Sequence, residues 1–123
     1  MAARFYISHT LGAFRRYMLE DVMYCCAQHD LEHSVARVTR WVFSIIRASL
    51  RLFNVYVHPY NPSLDQVKVL FPQLDLSIPY VLLDMRKKPA TIRPDHTLFI
   101  SVEAFLEKYV SFVLREASNY EQN

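Results

Sequence analysis

Apolar positions recur at helical spacing over much of the chain, and one segment does so against an almost purely basic polar side. Between about Glu32 and Phe53, at 100° per residue, Val35, Val38, Val42, Ile45, Ile46, Leu52 and Phe53 fall on one broad face, with Trp41 at its flank. Ser49 is a small polar interruption of that face. Arg37, Arg40, Arg47 and Arg51 form a stripe on the opposite side, with His33 and Ser44 among them and Ala48 beside. Asp30 supplies an N-cap. From His33 to Leu64 there is no Asp or Glu.

A helix before it is predicted from about Leu11 to His29. Phe14, Met18, Val22, Cys25, Cys26 and His29 lie along one side, widened by Leu19, although Arg15 projects from that side too. The pair would form a tight helical hairpin. His58-Pro59 closes the second helix, because a residue before Pro avoids helical angles. Val55 to Val57 reads as extended and Tyr60-Asn61-Pro62-Ser63 as a turn. Ser63 then caps a short third helix, Leu64 to Phe71, ended by Pro72. Tyr80 to Met85 fits strand or helix, and Arg86-Lys87-Lys88-Pro89 opens a basic loop reaching His96. The last helix starts at a Ser101 cap and buries Val102, Phe105, Leu106, Tyr109, Val110, Phe112, Val113 and Ala117.

This pattern predicts a mainly α fold, a small bundle of three to four helices in a single domain covering 1–123, with 1–8 and 119–123 as flexible ends. The alternative adds a minor two- or three-stranded β element from Val55–Val57, Tyr80–Leu83 and Leu98–Ile100.

Composition narrows the function more than it names it. Hydrophobic residues make up 52% and aromatic residues 14% of the chain, enough for a core and with a surplus that favours an apolar contact surface. The chain has a single glycine, Gly12, so Gly-built phosphate loops are absent. The formal charge of +2 is mild, and its distribution matters more than its size. Cys25 and Cys26 are adjacent and the chain has no other Cys, so no disulfide framework exists; a reducing compartment, cytoplasmic or nuclear, is expected. No secretory signal or spanning segment is read.

The Arg stripe is the leading candidate site. Its guanidinium groups would extend over about 20 Å of helix at 1.5 Å per residue, and Arg15, Arg16 and Arg86 to Lys88 would enlarge the patch if they fold beside it. The competing reading is a solvated face paired with acids such as Glu103 or Glu107. Cys25, Cys26, His29 and His33 form a weak zinc candidate, since adjacent Cys on one helix point about 100° apart and a further ligand would have to come from His9, His58 or His96. Cys25 and His29 have the spacing of a nucleophile and base, but both thiols sit late in a helix, where the dipole opposes thiolate. An interfacial membrane helix is the less economical use of Trp41, Phe43 and Phe53, which core packing also explains.

Leu64 to Leu83, with Leu70-Phe71-Pro72 and Leu74-Asp75 ahead of Leu82-Leu83, is similar to the opening of CUE ubiquitin-binding domains, which carry a Met-Phe-Pro motif and a late di-leucine. Leu70 stands where that family has Met, and Pro79 falls where it has continuous helix. No binding residue is carried over. The expected function is therefore a non-enzymatic interaction module or small regulatory subunit, without cofactor. It would present the basic amphipathic helix to a protein partner or to a second copy in a homo-oligomer, through Arg37, Arg40, Arg47, Arg51, Trp41, Arg15 and Arg16. The alternative is a structured-RNA or DNA binder using the same stripe on the phosphate backbone.

Overall fold

An apolar face as broad as that of the second segment cannot be covered by one neighbour, and the structure surrounds it. The structure, a computed structural model, describes the backbone of residues 2–28, 31–88 and 97–122 and the side chains of 4–16, 20, 33–88 and 97–120. Five helices follow in order: α1 (Ala2–Gln28), α2 (Leu31–Arg51), α3 (Tyr60–Leu70), α4 (Ser77–Lys87) and α5 (Thr97–Gln122). Helix α2 is central and packs against all four others, while α5 also packs on α1 and α4. Val35, Val42, Phe43, Ile45, Ile46 and Leu50 of α2 are fully buried, and they meet Ile7, Leu64, Leu82, Phe99, Leu106 and Tyr109 in one core.

The fold is mainly helical, as expected, but the described residues form five helices where three to four were predicted. No strand occurs among the described residues. Tyr80–Leu83 lies inside α4 and Leu98–Ile100 inside α5, so the minor β element is not formed. Two prolines account for much of the difference. Pro62 and Pro79 each occupy the third helical position, of α3 and α4 respectively, where an N–H has no acceptor within the helix. A Pro there starts a helix as readily as it interrupts one. Ser63 is consequently not a cap. It lies within the first turn of α3, buried, and its hydroxyl donates to the Pro59 carbonyl at 2.7 Å. Helix α4 starts beyond Asp75, whose Oδ1 accepts the Ser77 N–H at 2.9 Å. That backbone donor, with the Ser77 hydroxyl and then the Lys108 charge, holds the Asp75 carboxyl below its usual range.

Helix α1 begins nearer the N-terminus than its Leu11 start predicted, and Ile7 is in the core. Its apolar residues do not form one stripe because two neighbours, α2 and α5, cover it. Arg4 donates to Ser118 Oγ at 3.3 Å and Arg15 pairs with Glu107 at 2.7 Å. Residues advancing along α1 therefore meet residues retreating along α5, so the two helices run antiparallel.

Helix α2 stops in a Schellman arrangement. Asn54 adopts φ 62°, its N–H donates to the Arg51 carbonyl, and the Val55 N–H reaches back to Leu50. Asn is, after Gly, the residue that accepts this left-handed conformation with least strain. An aromatic chain then closes the end of the bundle: Phe53 packs edge-on to Phe71, Phe71 edge-on to Phe112, and Tyr120 tilts against Phe53, with centroids 5.1 to 5.3 Å apart.

Candidate functional site

Burial on every side reduces the solvent-facing part of α2 to one line. His33, Arg40 and Arg51 are exposed, and Arg37, Ser44 and Arg47 are half-buried between them. These are the residues of the predicted basic stripe, so the stripe is the seam along which α2 reaches water. It is a narrow line between neighbouring helices, not the open side of a rod.

The four arginines do different things. Arg47 is turned back onto the protein. Its Nε donates to the Phe43 carbonyl at 3.2 Å, and one Nη donates to the His58 carbonyl at 3.2 Å and lies 3.4 Å from His58 Nδ1. It thereby ties the connection after α2 to the helix itself. Arg40 and Arg51 are exposed and form no ion pair with any described acid. Arg37 is half-buried and has interactions of its own. Of the α5 acids that the competing reading named, Glu107 is taken by Arg15 of α1 in an exposed pair. Arg16 is exposed on α1.

Arg40 and Trp41 meet α1 across an open cleft of about 290 Å³, lined by Tyr6, His9, Thr10, Ala13, Arg40, Trp41 and Ser44. Trp41 is half-buried there, with Phe14 beneath it at 6.2 Å. Phe5 stacks on His9 at 5.6 Å and is 73% exposed, and Tyr6 is 46% exposed. The cleft therefore has a hydrophobic floor, an aromatic rim and one unpaired guanidinium. Phe5 and Tyr6 were missed from the sequence because they fall in 1–8, expected to be a flexible end, and His9, considered only as a distant zinc ligand, lies before the predicted Leu11 start of the helix. The spacing of Ile7, Leu11 and Phe14 was the signal that carries the helix back through them.

A second cationic group forms where α2, α3 and α4 converge. Tyr60 stacks on Phe43 with centroids 4.2 Å apart, and the Arg47 and Arg86 guanidinium carbons lie 5.7 and 5.2 Å from the Tyr60 ring centroid. Arg86 and Lys87 belong to the last turn of α4 and Lys88 is its C-cap, so these three are not a loop. The remainder of the predicted basic loop, 89–96, lies outside the described residues, as do His29 and the side chains of Cys25 and Cys26. Of the zinc candidate only His33 is described, exposed on α2; no group of three or more ligating side chains occurs among the described residues.

Another cleft, of about 310 Å³, separates the 74–78 segment from α5 and is lined in part by Asp75, Ser77, Ser101 and Lys108. Lys68 of α3 lies 4.7 Å from the Tyr80 ring centroid of α4, and a hydrogen bond to Tyr80 raises the Lys68 pKa. No helix among the described residues is long and apolar enough to cross a membrane. Compared with protein-family models, with curated proteins and with solved structures, the chain matches none, and the short likeness of Leu64 to Leu83 to CUE domains has no counterpart among the family models.

Proposed function

We propose that this chain is a non-enzymatic interaction module that binds an acidic segment of a partner protein in the α1–α2 cleft. One observation carries the reading: Trp41, half-buried, and Arg40, exposed, stand with Tyr6 and His9 around a single concavity, and the protruding Phe5 stacks on His9 at its edge. Trp, Tyr and Arg are the side chains that dominate binding energy at protein interfaces, and they do so when grouped around a pocket that a partner can dry. The guanidinium of Arg40 selects for a carboxylate there. Nucleic acid is the less favoured ligand of the stripe, because Arg47 commits two of its donor groups to protein carbonyls and so breaks the row that a duplex would follow.

Trp41 is the chain's one tryptophan, so its fluorescence reports the cleft directly. Peptides selected by display on the full chain should be acidic and apolar. They should shift Trp41 emission to shorter wavelength and lose binding to Arg40→Glu and to Trp41→Phe. Recovery of no peptide, together with a salt-sensitive gel shift of duplex RNA that Arg40→Glu abolishes, would replace this reading with the nucleic-acid one. Light scattering on the same sample tests self-association: a concentration-dependent mass that falls on Trp41→Ala would make a second copy the occupant.

A further inference from the structure

The cationic corner at Tyr60 lies on α3 and α4, outside the α1–α2 cleft, and does not depend on what that cleft binds. Pro59, Tyr60, Pro62 and Leu83 form the walls of a concavity of about 360 Å³, and Arg86 and Lys87 of α4 complete it. Arg86 is exposed and lies over the Tyr60 ring. Arg47 approaches that ring as well, held by the His58 carbonyl. No acidic residue lines the concavity, and neither Arg86, Lys87 nor Arg47 has an ion pair with a described acid.

Like charges brought together repel, and the face of one tyrosine offsets only part of that repulsion. A ligand that supplies negative charge at this point relieves it. We propose that the corner binds the phosphate group of a phosphomonoester, with Arg86 and Lys87 as its direct ligands and Arg47 as a fixed charge behind the Tyr60 ring. The geometry favours a terminal phosphate over a phosphodiester backbone. Backbone binding spreads cations along a track, whereas Arg47 and Arg86 converge on one ring and Lys87 lines the same concavity. A dianion with three acceptor oxygens also answers several cations better than a single carboxylate does. Two features add to the attraction. Helix α3 points its N-terminus at the same concavity, and no side chain caps it.

The test is a nuclear magnetic resonance titration of the full chain at constant ionic strength, with inorganic phosphate, phosphoserine and phosphotyrosine as separate probes and chloride as the reference. The expected result is saturable shifts centred on Tyr60, Arg86 and Lys87. Binding should weaken about tenfold or more in Arg86→Gln with Lys87→Gln and stay unchanged in Arg51→Gln. Both substituted side chains are exposed, so the melting temperature should not move, which separates lost binding from lost folding. The free amino acids and inorganic phosphate distinguish an attached phosphate from the free ion. Shifts that fail to saturate, that chloride reproduces, or that spread equally to Arg40 and Arg51 would overturn the proposal. So would a short RNA duplex that occupies the corner more tightly than any monoester.

Discussion

Tyr109 donates a hydrogen bond to Ser49 inside the core, with the two oxygens 2.6 Å apart and both residues almost wholly buried. The direction follows from proton counting. Ser49 has one hydroxyl hydrogen and gives it to the Ile46 carbonyl at 2.6 Å, so the hydrogen between the two hydroxyls belongs to Tyr109. The polar interruption in the apolar face of α2 is thus the acceptor that lets α5 bury a tyrosine. Removing each partner should have different consequences. Ser49→Ala leaves the phenol buried without an acceptor and should cost about 1–3 kcal/mol. Tyr109→Phe leaves Ser49 still bonded to Ile46 and should cost about 1 kcal/mol. The double variant should resemble Tyr109→Phe alone, and chemical denaturation of the four proteins checks this.

Alkaline pH should act through the same residue. Burial pushes the Tyr109 phenol well above its usual range, and Ser49 offsets only part of that. Below about pH 10 the phenol is protonated whether the chain is folded or not, and its contribution is fully present. As pH rises further, the unfolded chain releases this proton and the folded chain keeps it. Stability should then fall with pH, by up to about 1.4 kcal/mol per pH unit from this group. Tyr109→Phe should lack that share of the slope in denaturation curves taken on either side of about pH 10. An identical slope in both proteins would contradict the assignment.

Ser34 offers the opposite case. Its hydroxyl is fully buried on α2 and has no hydrogen-bond partner among the described residues. Ser34→Ala removes an unsatisfied polar atom and should raise stability by about 1 kcal/mol, read as a higher denaturation midpoint at unchanged slope.

Arg47→Ala should destabilise the fold by about 1–2 kcal/mol, since it strips donors from the Phe43 and His58 carbonyls. Arg40→Ala and Arg51→Ala, both exposed, should stay within about 0.5 kcal/mol of the parent. Equal effects at all three positions would show that the guanidinium of Arg47 is not a tie.

At the end of α2, Asn54→Gly should be neutral or slightly stabilising, because glycine adopts a φ of 62° without strain. Asn54→Ala should cost about 1 kcal/mol by the same reasoning, measurable in thermal melts.

Periodicity alone determined that residues in the thirties to early fifties form a single helix, greasy on one broad side and basic along the other. It determined most of the apolar face of α5 as well, because in both segments enough positions repeat for the 3.6-residue period to show. It was weakest between Tyr60 and Lys87, where each helix has only eleven residues and a Pro stands in the first turn. A breaker and a starter look the same there until the hydrogen bonds are placed. Tertiary structure alone decided how the arginines divide. Which guanidinium faces water, which binds a carbonyl eleven residues on, and which shares a ring with α4 all depend on neighbours distant in sequence. The same holds for Phe5, Tyr6 and Tyr60, whose roles come from α1 lying against α2 and from α3 and α4 both packing on α2. Local spacing sets the face a residue occupies on its own helix; the packing of other helices over that face sets whether it becomes core, tie or surface.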